Sequence, residues 1–300
     1  MQLKGGIEEI VVRGGIDQLA TLLNFSNYRT QFTQLTALVL CDGDPGNTKV
    51  DAAISFLLDR AVLIKSLRAL SIAPRSPPTG FWGKLQRAFP DLVTLSVAHP
   101  INQSTMIFSM RQLEVFDFKL WQNRYHRDVK ISLPSLKHLA LRGPYQPSMN
   151  DFIIKHGHQL ESCLFEETPW SQRALEETTF WSTVPNLRLF GLSLDMNPVL
   201  KGPPRDYPLR HIRISGSSLH IRRVHQFVEH FSQVSHVFIN ASSLQNLEEA
   251  KMIQSLKEMG LFVTEIVEGR FTPTASKAKE MVVFFSALAL YVAYIHLFIA

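Results

Sequence analysis

Four stretches of the chain bring together residue types that can do chemistry. His126, Arg127 and Asp128 in YHRDVK (125–130) reproduce the His-Arg-Asp of a phosphotransferase catalytic loop, whose aspartate takes the proton of the attacking hydroxyl. That chemistry also needs an asparagine five residues after the aspartate to hold magnesium. Leu133 stands there, and no glycine-rich phosphate loop is found, so the match is read as chance. Asp42 and Asp44 in CDGDPGNTK (41–49) have the spacing that opens a calcium loop, but its later ligand positions fall on Gly46 and Ala53. A turn leaving a strand is expected instead, since Gly, Asp, Asn and Pro suit turns. His156 and His158 flank Gly157 and would share a metal only on extended backbone; they are expected to be solvated histidines beside a helix-ending glycine. His220, His225 and His230 recur every five residues, roughly 140° apart on a helix, so they do not converge on one ion. With no serine-histidine-aspartate context, nucleotide-binding loop or dinucleotide fingerprint, the expectation is a non-enzymatic protein without metal or cofactor.

The organiser of these groups is a repeat. LPSLKHLALRG has leucines at 133, 136, 139 and 141, steps of three, three and two. A helix would continue in threes and fours, and a strand in twos. The same apolar-x-x-apolar-x-apolar pattern starts at Leu35, Leu67, Leu92, Leu113, Leu136, Leu160, Leu187, Leu209 and Val234, with IEEIVV from Ile7 one unit upstream. An apolar residue stands three before most of these anchors (Phe32, Ile64, Phe89, Met110, Leu133, Val184, Phe231), and Pro90, Pro134 and Pro185 stand two before. Periods of about 20–29 residues with this motif are those of leucine-rich repeats. The expected fold is therefore α/β, a leucine-rich-repeat solenoid over residues 1–270 with about ten irregular repeats, forming a curved parallel sheet with helices and loops on its convex side. Helices are expected at 50–61, 81–88, 150–156, 219–230 and 244–259, and a closing strand within 261–269.

Residues alternating with the inward leucines point to the concave face, the usual contact surface of solenoids. They are Asp117, Lys119, His138, Arg142, Glu166, His211, Arg213, His236 and Asn240, with Ala140 and Gly191 as small residues that leave room for a protein partner. A second candidate is a basic patch of Arg205, Arg210, Arg213, Arg222 and Arg223. It supports the alternative of a module binding anionic lipid or RNA, although no aromatic stacking row accompanies it.

The irregular repeat length, the phrases LPSLKHLALRG and VPNLRLFGL (184–192), and the missing asparagine after the strand make residues 7–268 resemble the repeat region of fungal F-box/leucine-rich-repeat proteins. The resemblance implies substrate recognition for a ubiquitin ligase, in which an F-box docks on an adaptor while the repeats bind the target. No F-box is found ahead of the repeats in this chain, so an adaptor is expected as partner only if an F-box is supplied elsewhere.

The composition agrees with a globular protein: 45% hydrophobic and 19% charged, with a formal charge of +5 that is too small to indicate nucleic acid. Cys41 and Cys163 are the only cysteines, read as two buried thiols in a reducing compartment. After a polar linker at 271–280, MVVFFSALALYVAYIHLFIA (281–300) carries no charge and is long enough, at about 1.5 Å per residue, to span a bilayer core. A C-terminal hydrophobic transmembrane helix is expected, with Lys277 and Lys279 placing the repeats on the cytoplasmic side. Because the chain stops inside the apolar run, an incomplete gene product is the further alternative.

Overall fold

A computed structural model describes residues 9–13, 34–41, 49–74, 78–99, 105–120, 128–143, 147–166, 180–193, 203–215, 224–225, 228–229, 231, 233–240 and 247–266. The fold is α/β with one large parallel sheet. Its strands are β1 (Glu9–Arg13), β2 (Ala37–Cys41), β3 (Ala69–Ile72), β4 (Thr94–His99), β6 (Val115–Leu120), β8 (His138–Arg142), β9 (Ser162–Glu166), β10 (Leu189–Ser193), β11 (His211–Ser215), β12 (His236–Asn240) and β13 (Phe262–Ile266). These eleven strands lie side by side in chain order, interrupted in sequence only by β5 (Thr105–Ser109) and β7 (Asp128–Ser132), which pair with each other in a separate parallel sheet. Each apolar-x-x-apolar-x-apolar motif lies on one strand of the large sheet, and β13 follows the last of them.

Hydrogen bonds explain why two periods share nine residues. The anchor N–H donates to the carbonyl three residues before it: Leu92 to Phe89 (3.4 Å), Leu136 to Leu133 (3.2 Å), Leu187 to Val184 (3.1 Å) and Val234 to Phe231 (3.0 Å). The first step of three is thus a tight turn, and Pro90, Pro134 and Pro185 occupy its second position, where a fixed φ is favourable. After the anchor the chain straightens. The next carbonyl then accepts two N–H groups from the following unit, as Glu114 O does from Lys137 and His138, both at 2.9 Å. Polar side chains just before the anchor bind the preceding unit's turn: Ser135 Oγ donates to Arg111 O (2.7 Å) and Asn186 Nδ2 to His158 O (2.6 Å). Turn, anchor and strand are therefore tied to the neighbouring unit at each step. Buried backbone groups in so regular a stack need such partners.

One face of the sheet carries the alternating apolar residues, among them Leu70, Leu95, Phe116, Leu139, Phe190 and Ile212, all buried in a continuous core. Helices with bounds among the described residues are α1 (Lys49–Asp59), α2 (Phe81–Ala88), α3 (Pro147–His156), α4 (Phe180–Thr183) and α5 (Leu247–Glu258). They add Leu57, Trp82, Phe152, Trp181 and Leu256 to that core. α2 has the expected bounds, while α3 begins three residues earlier than expected. α5 stops at Gly260, whose φ of 80° allows Leu261 N–H to reach back to Leu256 O at 3.2 Å.

The small sheet was not expected from the sequence. β5 packs against α2 and β7 against α3, and Trp82 stacks on Phe108 of β5 with centroids 4.6 Å apart. Its signal is the alternation of Met106 and Phe108 with exposed Ile107, only five residues long. Asp128 begins β7, in place of the catalytic loop its sequence context imitates.

Of the helix expected at 219–230, the described positions 224–225 and 228–229 are helical. Asp42, Asp44, the linker at 271–280 and the apolar segment at 281–300 lie outside the described residues. No helix among the described residues is long and apolar enough to cross a membrane.

Candidate functional site

The face opposite the core is laid out by strand register. One row across it runs Thr94, Val115, His138, Ser162, Leu189, His211, His236 and Phe262. The next runs Ser96, Asp117, Ala140, Leu164, Gly191, Arg213, Phe238 and Thr264. A third brings Lys119, Arg142 and Glu166 into register, and Asn240 lies beside Ile266 at the far end. All nine residues expected on this face occupy its alternating positions. The structure places them on one sheet surface spread over β6 to β12.

Several of them are engaged within the sheet face rather than presented to a partner. Asp117 is only 6% exposed. Arg142 Nε sits 3.2 Å from its Oδ1, and Ser96 Oγ donates to its Oδ2 at 3.1 Å. His138 is buried too, and its Nδ1 shares a 2.9 Å hydrogen bond with Ser162 Oγ. His138 and Arg142, both expected on the contact face, are thus engaged by neighbouring strands through Nδ1 and Nε. The room expected above Gly191 is filled as well, since a Cβ placed there would stand 2.3 Å from Leu164 Cδ2. Leu164, Leu189, Ala140 and Phe238 form a buried apolar cluster on this face, separate from the main core. Sequence reasoning missed Leu164, Leu189 and Phe238. Their signal is an apolar residue at motif positions where most units carry a polar or small one.

Toward β13 the face changes character. The His211 and His236 rings lie 5.8 Å apart, and His236 stacks on Phe238 at 4.6 Å and on Phe262 at 6.1 Å. Phe262 is 71% exposed. Burial lowers the pKa of His211, and the neighbouring His236 and Arg210 lower it further against a smaller opposing contribution from the Arg188 carbonyl. Burial alone lowers that of His236. Both imidazoles are therefore biased toward the neutral form.

Three of the five arginines of the expected basic patch are among the described residues. Arg213 is 9% exposed within the sheet face, whereas Arg205 and Arg210 are exposed on the approach to β11, and Arg210 Nη1 donates to Leu209 O at 3.1 Å. Arg222 and Arg223 lie outside the described residues.

The histidine pair around Gly157 also departs from expectation. His158 is exposed, but His156 is buried against Phe152, its Nε2 3.3 Å from Ile131 O and its Nδ1 3.3 Å from Gln159 Nε2. Gln159 Nε2–H donates to Nδ1, so Nε2 carries the proton that Ile131 accepts. Desolvation by burial lowers the His156 pKa despite that bond. Gly157 is required for close approach, because a Cβ there would meet Thr183 O at 2.5 Å. Among the described residues no cluster of three or more His, Cys, Asp or Glu is placed to hold a metal ion. A cleft of about 590 Å³ lies beside the turn at Ala61–Ile64 and α2, lined by Val62, Lys65, Lys84 and Arg87.

No protein-family model matches the chain, and no curated protein matches it. Among solved structures it is similar to the crystal structure of a Bacteroides fragilis protein determined as a structural-genomics target. The two share 9% sequence identity over 83% of this chain and 79% of that one, with a TM-score of 0.43.

Proposed function

We propose that the chain is an irregular leucine-rich-repeat solenoid whose concave face recognises a protein partner, in the manner of F-box/leucine-rich-repeat substrate receptors. In this reading residues 281–300 are a tail anchor that holds the repeats at the cytoplasmic side of a membrane. The single observation supporting it is the strand order. Neighbouring parallel strands in chain order draw side chains from position 94 to position 262 into unbroken rows, a surface that grows one strip per unit. At its β11–β13 end that surface carries imidazole groups and the exposed aromatic ring of Phe262, and aromatic residues are among the types enriched at interface centres. Adaptor docking belongs to the proposal only with an F-box supplied elsewhere.

Proximity labelling in cells tests the reading, using the full chain, a form ending at Glu280, and Phe262→Glu. Phe262 is exposed, so its replacement leaves the core intact. The expected result is a set of labelled proteins lost in Phe262→Glu, and a shift from membrane to soluble fractions in the form ending at Glu280. An unchanged labelling set in Phe262→Glu refutes recognition by this face. Recovery of ubiquitin-ligase adaptors supports the receptor version, and their absence removes it.

A further inference from the structure

We infer that the β11–β13 end of the outer face is a binding site for a carboxylate-rich, aromatic-containing peptide segment, and that binding it takes up protons. The inference rests on the proposed recognition role of the same face and names the chemistry of the partner.

The first observation is the distribution of charge along the rows. On β6 to β9 the outer-face positions are mixed in sign, with Asp117, Lys119, Arg142 and Glu166. On β10 to β13 they are Leu189, Gly191, Ser193, His211, Arg213, Ser215, His236, Phe238, Asn240, Phe262, Thr264 and Ile266, with no Asp or Glu among them. Among the described outer-face strand positions, the nearest Asp or Glu in strand order is residue 166 on β9, two strands from β11. Among the described residues the charged side chain that acts on His211 is that of the exposed Arg210 just before it, and Arg213 stands two residues on along the same strand. Around His236 the described cross-strand neighbours are His211 on β11 and Phe262 on β13, with Arg213 and Thr264 one outer-face register position along. An anionic group complements this end, and a cationic one does not.

The second observation is geometric. His211 and His236 are direct cross-strand partners, and their rings lie 5.8 Å apart, close enough for one carboxylate to meet both. Phe262 lies on the next strand, stacked with His236 at 6.1 Å and still 71% exposed, so an aromatic side chain of the same ligand has a platform beside the anion position. A nucleic acid would also bring anions and rings. The flanking apolar residues Phe238, Leu189 and Leu164 favour a peptide, whose side chains can alternate between carboxylate and aromatic along one strand.

The third observation is the protonation state. Both imidazoles are held toward neutrality in the free protein, so their charged forms are available to be stabilised by an incoming carboxylate. Binding then raises their pKa values, and affinity rises as pH falls through the values of the complex. Each unit by which one imidazole rises on binding contributes up to about a tenfold gain in affinity, reached in full once the pH lies below its values in both the free protein and the complex.

The test is fluorescence anisotropy with a labelled peptide of alternating Glu and Phe, at about pH 5.5 and about pH 8 at fixed ionic strength. Its arms are a matching Gln/Phe peptide, a labelled single-stranded RNA, and the His211→Gln/His236→Gln protein checked for fold by circular dichroism. We expect the Glu/Phe peptide to bind at least about tenfold more tightly at the lower pH. We expect the double variant to lose that dependence while it still folds, and histidine Cε1–H resonances to report raised pKa values in the complex. Absent binding, pH-independent binding, equal binding of the Gln/Phe peptide, or preference for RNA each overturns the inference. If Phe262→Glu loses its cellular partners while the Glu/Phe peptide fails to bind, only the acidic chemistry is wrong. If the peptide binds as expected while Phe262→Glu keeps its partners, the recognition role is wrong.

Discussion

Replacing Gly191 by alanine tests whether the outer face is packed or merely solvated. Positive φ is not the reason for glycine here: among the described glycines it occurs at Gly80, Gly143 and Gly260. The reason is Leu164. A Cβ at 191 would lie 2.3 Å from Leu164 Cδ2 and 3.2 Å from Arg213 Cβ, against about 3.5–4.0 Å for an ordinary carbon contact. Leu164 must move by more than about 1 Å, and it belongs to a buried apolar cluster with Ala140, Leu189 and Phe238. Turning it off its rotamer costs about 0.5–1.5 kcal/mol. With the neighbours displaced as well, Gly191→Ala is expected to destabilise the fold by about 1–3 kcal/mol. Leu164→Ala alone leaves a cavity and costs about 2–4 kcal/mol. In the double variant the new methyl enters the space that Leu164 vacates. The combined loss should therefore fall short of the sum by about 1–2 kcal/mol. Urea unfolding of the four proteins, followed by tryptophan fluorescence, gives the cycle from midpoint shifts at constant m. Additivity within about 0.5 kcal/mol would show that Leu164 does not rest on Gly191 and would refute the packing argument.

Three further outcomes are expected. Gly157→Ala drives its methyl against the Thr183 carbonyl, which is backbone, so Thr183→Ala should not relieve it; chemical unfolding should show a loss of about 1–3 kcal/mol in both backgrounds. Cys163 is fully buried and its thiol pKa is raised by desolvation, so a thiol reagent should label it only on unfolding, and labelling at the rate of an exposed cysteine under native conditions would place it wrongly. His156, His211 and His236 all have folded-state pKa values below the ordinary 6.5. As pH falls below that value the unfolded chain binds protons first, so the melting temperature should hold above it and decline below it, and a flat profile from neutral to mildly acidic pH would contradict their burial.

The sequence exposed the scaffold more fully than the site, for a physical reason. Turn, anchor and strand are local, and their spacing of three, three and two is set by one short hydrogen-bonded turn followed by extended backbone. Leu133, Leu136, Leu139 and Leu141 therefore announced their own geometry. α2 was equally legible, because Phe81, Trp82 and Leu85 define one buried face within eight residues. β5 and β7 were hidden because five residues of alternation between two strong motifs carry little weight, and their pairing is non-local. The outer-face positions of Asp117, His138 and Arg142 follow from alternation alone. Their mutual pairing does not, since it depends on which side chains of adjacent strands reach one another. The burial of His156 depends likewise on the rotation of α3 against β7, which local spacing does not encode.

That pairing decides where specificity can reside. A partner engaging Arg142 must compete with the Asp117 carboxylate already 3.2 Å away, and any displacement leaves a buried carboxylate held by Ser96 alone. The exchange replaces one charge-assisted contact with another and adds the cost of desolvating the incoming group, so its net contribution to affinity is small. His138 is tied in the same way to Ser162. At β11–β13 the balance runs the other way. The imidazoles of His211 and His236, which burial biases toward the neutral form, lie 5.8 Å apart where one anion can meet both, and the exposed ring of Phe262 gains burial. The polar centre of the face, which alternation picks out first, therefore holds adjacent strands in register, and discrimination between partners falls to its histidine and phenylalanine end.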